Sequence, residues 1–351
     1  MVQAPPNRIE NEYFSRTVPQ ATTSPSYPDQ SSQALESART LIREDLDKSW
    51  DLLVQQAQDA PGELPERLRW LSARQGKRVR STLLLLSARL GNTPDLEAAR
   101  LSAAAIELLH VASLAHDDVI DESELRRGEA SAPLRWGNKM AVLVGDYVFA
   151  RSMKLAIRTR LPDVVEAINR ASCQLVAGEV AELDLSRHTA PTWALYREVI
   201  HLKTASLLET CCRCGAISAG LGPEQIEAAG RLGYHFGMAF QMVDDLLDLG
   251  GVADLDKPAR LDLANGLVSF PALIRRELTG RSLADLAALP TQALFLILHE
   301  EGVLSQSLEM IAAELDLAAG ELVHLPDVAA RLHLQNLLTD LKDRSIRSLA
   351  G

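Results

Sequence analysis

From Ser32 onward, apolar residues recur at spacings of three and four along most of the chain. The segments A-L-E-S-A-R-T-L-I-R-E-D-L, R-S-T-L-L-L-L-S-A-R-L and A-A-R-L-S-A-A-A-I-E-L-L-H-V-A-S-L-A-H carry the pattern most clearly. That period puts apolar side chains on one helical face, or buries the whole helix. Breaks fall at Pro61 and Gly62, at Gly76, from Gly91 to Pro94, and at Gly128, Gly137 and Pro162. Further breaks come at Gly220, Gly222 and Pro223, and between Gly250 and Gly266. Past about residue 281 the helical period continues, punctuated by Pro290, Gly302 and Pro326. No useful length alternates with period two. The expected fold is therefore all-α, about ten or more helices in a single domain over residues 33–351. Residues 1–32 read differently: Pro5, Pro6, Pro19, Pro25 and Pro28 stand among Ser, Thr, Gln and Asn. Such a stretch buries too little apolar surface to order itself, which predicts a flexible arm.

Composition sharpens this. The chain is 47% hydrophobic but only 4% aromatic, so its core is mostly Leu, Ala and Val, which suits close-packed helices. A net charge of -11 argues against a nucleic-acid partner, which would need a basic face. It does not exclude a local basic pocket. No uninterrupted apolar run reaches the roughly 18–20 residues that span a bilayer, so no transmembrane segment is expected. The N-terminus lacks the order of a secretory signal, and Glu10, Glu12 and Asp29 interrupt any transit peptide. The expected location is the cytoplasm. Three of the four cysteines, Cys211, Cys212 and Cys214, cluster in C-C-R-C. Zinc wants four ligands from two separated pairs, so these read as small buried side chains.

The chemistry is concentrated in two acidic clusters. Asp117, Asp118 and Asp121 form D-D-x-x-D, and Asp244, Asp245 and Asp248 repeat it in F-Q-M-V-D-D-L-L-D-L. Each follows a long apolar stretch without a break, so both are expected on helices, where positions i and i+4 project one turn apart on one side. Stacked like charges repel, and a solvated acidic face would not explain the same arrangement twice beside apolar sequence. Hard divalent cations would: Mg²⁺ takes oxygen ligands, keeps several waters and completes its shell with substrate phosphate. Basic residues supply the counterpart. Lys77 and Arg80 lie in G-K-R-V-R, Arg126 and Arg127 just after the first cluster, Lys203 and Thr204 in H-L-K-T-A-S, and Lys257 past the second cluster. Together they offer the forks and point charges that two diphosphates need. His110 lies two helical turns before Asp117 and shares its face, about 10 Å along the axis.

These motifs, in this order, resemble the trans-isoprenyl diphosphate synthases, or polyprenyl synthetases. The resemblance runs from about residue 35 to the C-terminus through G-K-R-V-R, L-L-H-V-A-S-L-A-H-D-D-V-I-D-E-S-E-L-R-R-G, W-G-N-K-M-A-V-L-V-G-D, K-T and F-Q-M-V-D-D-L-L-D. It implies an isoprenoid-synthase-like helical bundle around a deep central cavity, usually a homodimer. The implied reaction condenses isopentenyl diphosphate repeatedly with an allylic diphosphate, using three Mg²⁺ per site. By resemblance Asp117 and Asp121, supported by Asp118, hold two of these ions, and Asp244, with Asp245 and Asp248 nearby, holds the third. Arg126, Lys203 and Lys257 match the grip on the allylic diphosphate. Lys77, Arg80, His110 and Arg127 match the isopentenyl diphosphate site, and Thr204 and Gln241 the polar groups beside the developing cation.

The growing tail is expected to point down the helix below the first cluster. There Ala112 and Ser113 leave open a passage that short-chain members plug with aromatic residues. The implied product has about 35 to 45 carbons, octaprenyl being the best match, with geranylgeranyl or farnesyl diphosphate as the alternative. Transient membrane association for product release goes with it. Two other readings fit less well. A non-catalytic partner subunit would have lost some of these residues, and a terpene cyclase would not need Lys77, Arg80 and Arg127. Two departures stand out. The loop that usually reads Gly-Lys-x-x-Gly is here Asp256, Lys257, Pro258, Ala259 and Arg260, and Ser81 replaces the proline usual after G-K-R-x-R.

Overall fold

Good side-chain caps set where several helices begin. In the computed structural model, Ser32 accepts a hydrogen bond from the Leu35 amide and starts α1 (Gln33–Gln58). Asp95 does the same from Ala98 for α4 (Leu96–Ile120), and Thr192 from Leu195 for α8 (Trp193–Ile200). Each hydroxyl or carboxylate satisfies an amide that the first turn would otherwise leave unbonded. The structure describes residues 32–73, 76–126, 128–187, 192–250, 269–286, 289 and 291–350. The N-terminal arm apart from Ser32, and with it Arg127 and the loop carrying Asp256, Lys257, Pro258, Ala259 and Arg260, lies outside the described residues.

Between α1 and α4 run α2 (Leu64–Ala73) and α3 (Val79–Ala88). A hairpin of two short strands, Leu125–Arg126 and Glu129–Ala130, follows α4, pairing Leu125 with Ala130 and Arg126 with Glu129. It is the small departure from the all-helical expectation. Then come α5 (Ala132–Trp136), α6 (Asn138–Arg158) and α7 (Pro162–Arg187). Helix α8 passes through a π-helical turn, His201–Ala205, directly into α9 (Ser206–Ser218). The long α10 (Pro223–Gly250) precedes α11 (Phe270–Thr279), α12 (Thr291–Glu300), α13 (Val303–Glu321) and α14 (Ala329–Ala350).

Helix α4 is the centre of the core and packs against α6, α1, α3 and α9. Its buried surface is largely alanine, including Ala99, Ala103, Ala104 and Ala105, so its neighbours approach closely without aromatic filling. By length and composition α4 is apolar enough to cross a membrane, but 78% of its apolar window is buried within the protein. It is a core helix, and even its mid-helix acid, Glu107, is buried.

Cys211, Cys212 and Cys214 are fully buried on α9, and burial pushes the Cys212 and Cys214 thiols up to about 12. They act as packing groups. Ser81 also gains a reason. Its backbone N–H donates to the buried Glu107 carboxylate at 3.2 Å, and its hydroxyl donates to the same oxygen. A proline there has no N–H to give.

Asp45, fully buried on α1, ties three helical segments together through Arg89, after α3, and Arg100 on α4 at 2.7 Å. Asp45→Ala should lower unfolding stability in urea by about 3 kcal/mol, the lower end for breaking a buried pair, because both arginines keep some access to water.

Candidate active site

The first aspartate cluster lies on a helix, as its spacing suggested, at the point where that helix ends. Asp117 and Asp118 occupy the last turn of α4, and Asp121 caps it, its amide bonding the Asp117 carbonyl at 2.8 Å. The next residue, Glu122, enters the left-handed region at φ 50°. A helix C-terminus carries partial negative charge, so three carboxylates there oppose the helix dipole as well as each other. The hairpin brings Arg126 back over this end, where its Nε donates to Asp118 at 2.6 Å. Burial raises the buried Asp118 carboxyl above the usual carboxylate range, and Arg126 pulls it only part of the way back.

Asp117 is the most perturbed of the three. Burial, aided by the Glu179 charge and by Asp121, pushes it up to about 7, against the pull of Lys203 and Arg126. These five groups therefore share one electrostatic neighbourhood. Glu179 and Glu182 sit three residues apart on α7, and both hold the Lys203 ammonium, Glu179 at 2.7 Å. Burial draws the Lys203 ammonium down, but Glu182 and Glu179 outweigh it and keep it well above the usual lysine range. Glu179 itself is raised by burial, with Lys203 opposing.

The second cluster lies in the last two turns of α10. Asp244 is half-buried and Asp248 exposed. Asp245 turns into the protein. Its carboxylate accepts from Gln241 Nε2 at 2.9 Å, from the Phe270 amide at 2.9 Å and from the Tyr196 hydroxyl at 2.8 Å. Burial still raises it to about 6 against those three hydrogen bonds. The π turn links the two clusters. Lys203 reaches the glutamates beside Asp117, while the adjacent Thr204 donates to Gln241 Oε1 at 2.7 Å and so joins the chain that ends on Asp245.

The other expected residues are placed more loosely. Lys77 is exposed just before α3, and Arg80 is half-buried in its first turn. His110 is half-buried on α4, which packs against α3. Between Lys77 and Arg80, Arg78 adopts a left-handed conformation at φ 47°, its guanidinium 4.3 Å from the Trp50 ring centroid. Below Asp117, Ala112 is buried at 2% exposure, whereas Ser113 is half-buried with its hydroxyl on the His110 carbonyl at 2.9 Å. Sequence reading missed Glu179, Glu182 and Tyr196. The first two had a signal, two acids three apart in G-E-V-A-E, on one side of a helix. Tyr196 had none.

The polyprenyl synthetase family model matches residues 63–288. The nonaprenyl diphosphate synthase of Mycobacterium tuberculosis is 35% identical over 274 residues, covering 75% of this chain and 81% of that protein. Component 2 of the heptaprenyl diphosphate synthase of Geobacillus stearothermophilus is 36% identical over 241 residues, 68% of this chain and 75% of its own. A polyprenyl synthase of Caulobacter crescentus, solved with calcium and isoprenyl diphosphate, superposes with a TM-score of 0.80 at 30% identity, covering 88% of this chain and 97% of that one. The chain belongs to the polyprenyl synthetase family. It is a prenyltransferase of the long-chain trans type, with the all-α fold of that class.

The raised acids carry a sign. A carboxyl whose folded pKa is raised contributes stability below its unfolded pKa and loses it as pH rises through the folded value. In chelator, stability should therefore fall as pH climbs from about 4 towards the Asp117 value of about 7. Glu179→Gln removes one raised acid and the charge that helps raise Asp117, so the fall should become shallower. Urea unfolding across this pH range reads the slope; an unchanged slope would refute the shared electrostatics.

Proposed function

We propose that the chain condenses isopentenyl diphosphate repeatedly with an allylic diphosphate to give an all-trans polyprenyl diphosphate of about 35 to 45 carbons, with octaprenyl the best single value. The observation that carries this reading is the pair of aspartate clusters joined through Lys203 and Thr204 on one π turn. Relatives named for hexaprenyl, heptaprenyl, nonaprenyl and decaprenyl products support a long-chain product.

Mg²⁺, three per site, fits the donors. Asp117, Asp121, Asp244 and Asp248 offer only hard oxygen ligands, and the burial and repulsion at Asp117 are what a divalent cation would relieve. Among the described residues no three His, Cys, Asp or Glu side chains form a ready-made cage. That suits an ion held by one or two carboxylates together with substrate phosphate and water. Asp245 accepts three protein donors, so it positions Asp244 and Asp248 as well as adding its own carboxylate to the metal site. When bound, the ions supply positive charge to the departing diphosphate.

The protein's own groups do the rest. Arg126 and Lys203 grip the allylic diphosphate, with Lys257 alongside, and Lys203 exchanges its glutamates for phosphate oxygens. Lys77, Arg80, His110 and Arg127 hold isopentenyl diphosphate. The Thr204 and Gln241 oxygens lie beside the developing allylic cation and favour it electrostatically. The departing diphosphate takes the final proton.

The working unit is a cytoplasmic homodimer. Helix α6 exposes Val142, Leu143, Phe149 and Ile157, and α7 exposes Val176, Val180 and Leu183, an apolar surface suited to a second copy. Transient membrane contact then accompanies release of the apolar product. Phe149→Asp should shift the chain towards monomer in sedimentation; an unchanged dimer would remove this face from the interface.

The purified chain alone, with Mg²⁺, isopentenyl diphosphate and farnesyl diphosphate, should give a product ladder ending in this range by mass spectrometry, and chelator should abolish it. Absence of product from the chain alone would favour a required partner, as "component 2" in the name of the Geobacillus relative suggests. Ser113→Phe should stop elongation at about 20 carbons or fewer. Ala112→Phe instead overpacks a buried position and should cost about 1–3 kcal/mol of stability.

A further inference from the structure

Two helices touch the π turn at positions where neither has a side chain. A Cβ added at Gly178 on α7 would lie 2.8 Å from both the Lys203 amide nitrogen and Lys203 Cγ, and 2.9 Å from Leu202 Cβ. One added at Gly237 on α10 would lie 2.5 Å from Ala205 Cα and 2.9 Å from Ala205 Cβ. Both contacts are with the five residues His201–Ala205, or with their backbone, and they come from different helices.

The turn matters because it changes the register of everything before it. On an ordinary α-helix, residues eight apart are about 80° out of line. A π turn absorbs one residue, so eight count as seven and the offset falls to about 20°. Tyr196, before the turn, and Thr204, within it, are eight apart, yet both reach the same short stretch of α10, Tyr196 at Asp245 and Thr204 at Gln241. The extra residue brings both side chains towards one face of the rod. The same turn directs Lys203 the other way, to Glu179 and Glu182 on α7.

We propose that Gly178 and Gly237 are positioning residues that clamp the π turn from both sides and thereby fix Lys203 and Thr204 for turnover. The proposal rests on the roles given to those two residues above. A methyl at either position must push the turn away, because the nearest atoms include backbone that cannot rotate aside. Lys203 and Thr204 then move together. The isopentenyl diphosphate groups on α3 and α4 do not.

Gly178→Ala and Gly237→Ala should each lower kcat by about 10- to 100-fold, the scale of a misplacement near 1 Å. Both should weaken binding of inorganic diphosphate in Mg²⁺ by calorimetry, with KM for isopentenyl diphosphate within about twofold of the parent. Gly91→Ala is the matched control. Its Cβ would meet Ala219 backbone, with the carbonyl carbon at 2.8 Å, but beyond the far end of α9. It should lower the melting temperature and leave kcat and diphosphate affinity unchanged. Tyr196→Phe adds no volume and should lower kcat with the same unchanged KM, so it carries the test if an alanine variant does not fold.

A folded Gly178→Ala or Gly237→Ala with parental kcat and diphosphate affinity would overturn the clamp. So would losses that merely track melting temperature along with Gly91→Ala, or a Tyr196→Phe protein with parental kcat when the alanine variants fail to fold. No product from the parent chain would instead sink the reaction assigned to it, and the calorimetry would still decide the clamp.

Discussion

Carboxylates crowded at the end of a helix repel one another, and burial strips away the water that would screen them. The rest of this structure is arranged around that constraint. Asp117, Asp118 and Asp121 gather where α4 ends, and Glu179 adds a fourth charge from α7. Two cations reach this group, Arg126 on the hairpin and Lys203 on the π turn. The hairpin exists because the chain must reverse sharply after Glu122 to bring Arg126 back. Lys203 faces α7 because a π turn interrupts the rod formed by α8 and α9. Two irregularities of backbone thus answer one electrostatic problem.

That problem divides the acids into two kinds. Asp45 holds two arginines. Burial pushes Glu314 up, but His235 and Arg197 outweigh it and leave its carboxyl below the ordinary range. Asp245 accepts three hydrogen bonds. These acids are balanced by protein partners and hold helices together. Asp117 is not balanced: burial, with the Glu179 charge beside it, raises its carboxyl to about 7. A fold could relieve that by exchanging one acid for an amide. Keeping it costs stability, which is the usual mark of a site shaped for a ligand.

Much of this was legible in the sequence. Helical period and the Gly and Pro breaks located α1, α3, α4 and the loops around them, because helix-forming residues and helix-ending residues act locally. The two D-D-x-x-D clusters and Lys203–Thr204 were visible as residue types at a spacing. What stayed hidden was nonlocal. The end of α4 at Asp121 depends on a left-handed residue, Glu122, with no glycine to announce it. Asp245 looks like Asp244 in sequence and differs only because Tyr196 and the Phe270 amide, far away in the chain, close over it.

The π turn shows why motif spacing alone falls short. H-L-K-T-A-S reads as an unbroken helix, and on such a helix Tyr196 and Thr204 would not share a face. Nothing in those six residues calls for an extra one. The demand comes from outside, from Asp245 and Gln241 on α10 and from Glu179 and Glu182 on α7, which pull neighbouring side chains in different directions. A π turn adds strain locally and is kept where surrounding contacts outweigh it. Here those contacts run to the glutamates beside the first aspartate cluster and, through Gln241, to the second, so the turn is the part of the backbone whose shape both halves of the site determine.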